Sequence, residues 1–168
     1  MKLKGKVRRF EPNNDINTDY IISGRYKFKS EDMNELAEYL MEDIRPGFFN
    51  EIEPGDFIVA GSNFGCGSSR EQAPRVIKAA RLSAVLSKSY ARIFYRNAFN
   101  VGLPLIMVDT DGLEEGEEVE VDLDAGTLTR LSTGEARTFP PLSKTAQKLL
   151  EDGGLIAHLK QHGGFKFD

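Results

Sequence analysis

The sequence has 168 residues, a length that suits one compact domain burying roughly two-thirds of its unfolded surface, so no staple is needed to make its core. Its residues are 40% hydrophobic and 29% charged, the balance of a soluble globular protein. A net charge of −4, with both signs interspersed, argues against a nucleic-acid partner, which calls for a basic stripe. Cys66 is the only cysteine, which excludes an intramolecular disulfide and excludes this chain as the holder of an iron–sulfur cluster, a group that needs several thiolates.

The N-terminal MKLKGKVRRF is charged and has no apolar core of the kind a signal peptide carries. A short strand is predicted from Lys4 to Phe10, followed by a polar turn segment through Asp19 in which Asn, Asp and Pro favour Asx-type turns. Ser30 is expected to cap a helix, with Glu31 and Asp32 in its first turn. Met33, Leu36, Ala37, Leu40, Met41 and Ile44 follow at helical spacing, and Pro46 ends it. The turn Glu53–Asp56 launches a buried strand, Phe57–Ala60. A glycine-rich loop and a helix from about Glu71 to Arg81 come next. Ser83–Ser87 is a second buried strand, residues around Tyr90, Ile93, Phe94 and Ala98 form another helix, and Pro104–Val108 is a third strand. This βαβαβ order implies parallel strands with right-handed crossovers.

Beyond Gly112 the pattern changes. Glu118–Leu123 alternates strictly and turns through Asp124–Thr127 into Leu128–Leu131, an antiparallel hairpin with one solvated face. The acidic run Glu114–Glu120 is read as that solvated face. Ser143 opens a helix through Leu150, Gly153-Gly154 interrupts it, and a last helix ends at Gly163-Gly164. The fold class is therefore α/β, with a parallel core sheet, helices packed on it and a smaller antiparallel layer, taken as one domain over residues 1–168. No apolar run approaches the roughly 20 residues of a bilayer span, so no membrane partner is expected and the chain is predicted to be cytoplasmic.

Residues 61–74, GSNFGCGSSREQAP, carry the sharpest signal. Gly65 and Gly67 allow close backbone approach, and a helix start near Ser69 would point free N–H groups into the loop. Arg70 offers a planar fork for a carboxylate. The loop lies at the carboxyl end of a parallel strand, where open α/β sheets place ligands. Two plainer readings stay open. Ser68-Ser-Arg-Glu71 fits a capping box, in which Ser68 merely caps the helix. A phosphate cradle is the other, although Ser-Ser-Arg stands where a Walker loop needs Lys-Ser/Thr.

This segment, with SKSYARIFYRNAFNVGLPLI at residues 87–106 and Asp15-Ile-Asn-Thr-Asp-Tyr-Ile21, resembles the aconitase C-terminal domain family. At this length the chain resembles the separately encoded small subunit of 3-isopropylmalate dehydratase and its homoaconitase-like relatives. The resemblance implies a three-layer β/β/α swivelling domain that docks on a larger subunit bearing a [4Fe-4S] cluster and is inactive alone. It implies reversible loss and addition of water on a small hydroxy-polycarboxylic acid, foremost 3-isopropylmalate in leucine biosynthesis. Homocitrate-pathway, citramalate-type and dimethylmalate acids are the alternatives. Within it, Ser68 matches the serine base, Ser69 and Arg70 match residues that bind a substrate carboxylate, and Asp19 matches an aspartate at the edge of the site. Asp19 also fits an Asx-turn residue. The loop Gly24–Lys29 matches the segment facing the variable end of the substrate. There Tyr26-Lys-Phe-Lys29 departs from the Tyr-Leu-Arg-Thr type of an isopropylmalate enzyme: Lys27 or Lys29 suits an additional carboxylate, Phe28 an alkyl branch, and a solvated loop is the plain alternative.

A reading from another class is a non-catalytic module that binds a small acid. His158 and His162 lie four apart, but no third metal ligand with suitable spacing is visible, so no metal site is expected. Arg92 and Arg96 are expected to anchor loops or the subunit interface, and Cys66 to fill space in its loop. The sequence leaves open whether the isolated chain forms a homo-oligomer.

Overall fold

The computed structural model describes residues 1–166. Among them, β1 (Lys2–Arg8), β2 (Phe57–Val59), β3 (Ala84–Ser87), β4 (Leu105–Met107), β5 (Glu118–Asp122), β6 (Thr127–Arg130) and β7 (Ala136–Thr138) form one mixed sheet. The strand order is β4-β3-β2-β1-β5-β6-β7. β1 is the seam between its two halves. Lys2 to Lys6 pair antiparallel with β5, from Lys2↔Asp122 to Lys6↔Glu118, whereas Val7 and Arg8 pair parallel with Phe57 and Ile58 of β2. Gly5 sits where the seam crosses the turn before β2: a Cβ there would lie 2.0 Å from the carbonyl oxygen of Gly55, so no side chain fits.

The parallel half matches the expectation from continuous apolar runs. Phe57–Val59 and Ala84–Leu86 are fully buried, as strands covered on both faces must be. α4 (Gln72–Ala79) crosses from β2 to β3, and α5 (Arg92–Asn100) from β3 to β4. The antiparallel half shows the expected alternation, with Val119, Val121 and Leu128 buried between neighbours that reach solvent in part. The hairpin continues into β7, an edge strand of three residues whose Ala-Arg-Thr has no apolar alternation to reveal it.

Other departures have physical causes. The acidic run is only partly a solvated face. Arg130 clasps Glu117 through Nε (2.8 Å) and Nη2 (2.7 Å), and this holds the Glu117 carboxyl below its usual range. Glu115 takes hydrogen bonds from Arg8, Arg45 and the Arg9 amide. The helix expected after Ser30 is broken into α2 (Met33–Leu36) and a 3₁₀ turn, Ala37–Tyr39. Its cap is Asp32, whose side chain accepts from Asn34 N–H, while Ser30 Oγ accepts from Asp32 N–H. Leu36, Ala37, Leu40 and Met41 are all buried as their spacing predicts. The backbone nevertheless leaves the helix at Leu40 (ψ 126°), and Met41 (φ 57°) follows with its N–H donating 2.9 Å to Ile21 O at the end of α1 (Thr18–Ile21).

α3 (Phe48–Glu51) buries Phe48 edge-on against Phe10, with centroids 4.9 Å apart. Ser143 caps α6 (Lys144–Asp152) by accepting from Ala146 N–H, and Gly153 ends it before α7 (Leu155–His162). No helix among the described residues is long and apolar enough to cross a membrane.

Candidate active site

The glycine-rich loop continues the order of the parallel sheet beyond its strand ends. On one side it is bonded to the segment after β1: Gly61 N–H donates to Asn13 O (2.8 Å), Asp15 N–H to Ser62 O (2.9 Å), Gly65 N–H to Ile16 O (2.8 Å) and Thr18 N–H to Cys66 O (2.9 Å). On the other side the segment after β3 closes in: Lys88 N–H donates to Gly61 O (2.8 Å), Phe64 N–H to Ser89 O (3.1 Å) and Ala91 N–H to Phe64 O (3.0 Å). Phe64 is fully buried, edge-on to Phe94 at 5.4 Å. Gly65, with φ 83°, leaves no room for a side chain, because a Cβ would lie 2.2 Å from Cγ of Phe94. The loop is thus held from both flanks and from below before its serines are reached.

Ser68 and Ser69 lie past this clamp and are exposed. The Ser68 backbone is tied down, since Thr18 Oγ1 donates to its carbonyl at 2.8 Å from a buried position. Its hydroxyl has no hydrogen-bond partner among the described residues. The capping-box reading fails: α4 begins only at Gln72, and Glu71 at its N-cap makes no side-chain hydrogen bond among the described residues. The helix start expected near Ser69 therefore lies further along, and Ser68, Ser69 and Arg70 stand on irregular backbone.

Arg70 and Asp19 come together, in an ion pair of 2.6 Å between Nη2 and Oδ1, while Arg70 Nη1 donates to Ile22 O at 3.2 Å. Much of the guanidinium's capacity is therefore spent inside the protein. Ser68, Ser69 and Arg70 form one wall of a cleft of about 330 Å³. The other wall is the first turns of α5, with Arg92, Phe94 and Asn97. Thr18, Arg92 and Asn97 are the polar members that sequence reasoning did not place here. Arg92 and Arg96 make no hydrogen bond or ion pair among the described residues, so neither anchors a loop.

Lys27, Phe28 and Lys29 lie outside the cleft lining, joined to it through Gly24, where a Cβ would sit 3.9 Å from both terminal nitrogens of Arg70. Tyr26 stacks on Tyr39 at 4.5 Å, and Lys29 Nζ lies 5.5 and 5.1 Å from these two ring centroids. Lys27 Nζ lies 4.6 Å from the ring centre of Phe28, itself 84% exposed.

The histidine pair does have a third partner. Asp152 Oδ2 lies 2.6 Å from His158 Nδ1 and 3.1 Å from His162 Nε2. Because His158 Nε2 accepts from the Lys166 N–H (3.0 Å), its Nδ1 carries the proton and donates to Asp152. The trio is thus hydrogen-bonded as a clasp between α6 and α7. Cys66 is half-buried, and burial pushes its thiol pKa up, consistent with a space-filling role. As the chain's one thiol it does not fit an iron–sulfur cluster.

Comparison with known proteins gives these features a family. Residues 41–110 match the aconitase C-terminal domain. The chain is 48% identical over 166 residues to 3-isopropylmalate dehydratase small subunit 2 of Archaeoglobus fulgidus, covering 99% of both chains. It is 47% identical over 156 residues to the methanogen homoaconitase small subunit of Methanothermobacter thermautotrophicus, covering 93% of this chain and 89% of that one. The crystal structure of 3-isopropylmalate dehydratase from Methanocaldococcus jannaschii superposes with a TM-score of 0.91 at 42% identity, over 97% of this chain and 96% of the other. The chain belongs to the aconitase/3-isopropylmalate dehydratase family, as one of its small subunits.

Proposed function

We propose that this chain is the small subunit of a two-subunit hydro-lyase that removes and re-adds water on 3-isopropylmalate, with Ser68 as the base that takes the proton from the carbon next to the departing hydroxyl. The observation that supports this most is the state of Ser68: its carbonyl is fixed by Thr18 while its hydroxyl is unpaired among the described residues and exposed in the cleft. A hydroxyl already bonded within the protein would not be available to a substrate, and this one is left to solvent and ligand. A base must keep it for the substrate.

A serine hydroxyl is too weak an acid to ionise unaided, so positive charge and removal of water have to stabilise the alkoxide. The cleft is open in this chain alone, and a partner docked over it supplies the exclusion of water. Ser69 and Arg70 stand beside Ser68 to bind a substrate carboxylate, with Asp19 setting the plane of the Arg70 guanidinium. The iron–sulfur cluster implied by the family belongs to the larger partner and supplies Lewis acidity there. No residue of this chain holds it.

A second reading, a homoaconitase-type acid, is favoured by the loop after Gly24. The Lys27 and Lys29 ammoniums rest over aromatic rings and have no carboxylate partner among the described residues, so a substrate long enough to extend out of the cleft past Gly24 would meet free positive charge with its further carboxylate.

The test is to purify the chain with its large subunit and assay the pair on 3-isopropylmalate, homocitrate-pathway acids, citramalate and dimethylmalate. Turnover of 3-isopropylmalate by the pair, none by this chain alone, and loss of most of the rate in Ser68→Ala with substrate still bound is the expected result. A near-normal rate in Ser68→Ala removes the serine from the base role, and turnover of only the longer tricarboxylic acids selects the second reading.

A further inference from the structure

The cleft has two guanidinium groups, and they are not in the same state. Arg70 is committed to Asp19 and to Ile22 O, so its charge is matched within the protein before any ligand arrives. Arg92 lies on the opposite wall, exposed, with no ion pair or hydrogen bond among the described residues. We infer that Arg92 is a substrate-binding residue: its guanidinium grips a carboxylate of the hydroxy acid across the cleft from Ser68. This rests on the proposed function and names a contact which that reading lacks.

Local electrostatics supports the inference. Arg92 is the first residue of α5, with Ala91 giving no side-chain cap and no acidic side chain in the first turn. A cation at the positive end of a helix is unfavourable by itself. Here the helix end and the arginine face the same cleft, and a bound carboxylate would satisfy both at once. Arg96, one turn further along, has the same charge on the same helix, but it does not line the Ser68 cleft. It lines the groove beside Phe139 and Leu142 and meets Arg92 only over Ile93, in a hollow outside the Ser68 cleft. The two arginines therefore separate a contact with substrate from a general charge effect of α5 or from docking of the partner.

The experiment compares Arg92→Gln, Arg92→Lys and Arg96→Gln in the assembled two-subunit enzyme, measuring kcat, KM and the affinity between subunits. Arg92→Gln is expected to raise KM on the order of 10-fold or more, the loss of a charge-assisted hydrogen bond, with kcat changed much less. Arg92→Lys should recover part of this, and Arg96→Gln should stay within about 2-fold of the parent. An unchanged KM in Arg92→Gln overturns the inference. So does an equal loss of subunit affinity in both glutamine variants with KM unaltered, which would make the pair docking residues. A parent enzyme that turns over none of the acids removes the proposed function and this inference together, whereas an active parent with a normal Arg92→Gln KM removes the inference alone.

Discussion

Thr18 Oγ1 donates a 2.8 Å hydrogen bond to the carbonyl of Ser68, fifty residues away in sequence. This bond joins the two segments that the clamp of the glycine-rich loop brings together, and it acts on the backbone of the residue whose hydroxyl faces the cleft. Thr18 is thus a positioning residue. Its removal should affect the placement of Ser68 more than binding of the acid. Thr18→Val keeps the shape and deletes the donor, so it is expected to cost about 1 kcal/mol of stability and to lower kcat several-fold with little change in KM. Thr18→Ser should restore the rate. A Thr18→Val enzyme with unaltered kcat would show that the loop holds Ser68 without this bond.

Asp19 and Arg70 invite a double-mutant cycle. Asp19 carries the pair partly in solvent, with its side chain 60% exposed, so as a surface ion pair it is worth little to stability. As an orienting contact for the Arg70 fork it should matter to substrate. Asp19→Asn and Arg70→Lys should each raise KM, and the double variant should be no worse than Arg70→Lys alone, giving a coupling of about 0.5–3 kcal/mol. Additive losses would mean that Asp19 meets the substrate independently of Arg70.

What the sequence made legible, and what it hid, follows from the range of the interactions. Phe57–Ala60, Ser83–Ser87 and Pro104–Val108 are continuous apolar runs between turn signals, a local pattern that survives in the fold as β2, β3 and β4. The loop of Ser68 was equally readable, since glycines between a strand and a helix mark close backbone approach. The broken helix after Ser30 shows the limit. Its apolar spacing correctly places Leu36, Ala37, Leu40 and Met41 in the core, but the bond from Met41 N–H to Ile21 O is long-range and overrides helical continuation. Arg92 and Arg96 look alike by periodicity, and only the wall of the cleft tells them apart. Asp152 lies across a glycine pair from His158, at no helical spacing, so the histidines looked as though they lacked a partner.

Gly65 carries the conformational demand of the loop. Alanine there must adopt φ 83° and place its Cβ 2.2 Å from the Phe94 ring, which is itself packed on Phe64. Gly65→Ala is expected to cost about 2 kcal/mol or more, since the left-handed conformation alone costs roughly 1–2 kcal/mol. Gly163→Ala is the control: φ is 68° but nothing among the described residues lies within 4 Å, so only the conformational cost of about 1 kcal/mol applies. Denaturant unfolding of the two variants should separate them. Equal losses would mean that the Phe94 ring moves aside freely.

The Asp152 clasp sets a dependence on acid. The hydrogen bond from His158 first, and those from His162 and Lys148 after it, hold the Asp152 carboxyl below its ordinary value despite partial desolvation. Its folded pKa is therefore lower than its unfolded one of about 3.9. A carboxyl depressed in this way contributes stability that is fully present above the unfolded pKa and is lost as the pH falls through the folded one. Asp152→Asn removes the charge but keeps most of the shape. It should lower Tm at pH 7, and its deficit against the parent should shrink as the pH is taken below about 4, where the unfolded parent's carboxyl takes up its proton while the folded one holds out to lower pH. Thermal unfolding of both proteins from pH 7 down to pH 3 checks this. A deficit that stays constant across that range would show that Asp152 joins α6 to α7 by shape alone, with no part played by its charge.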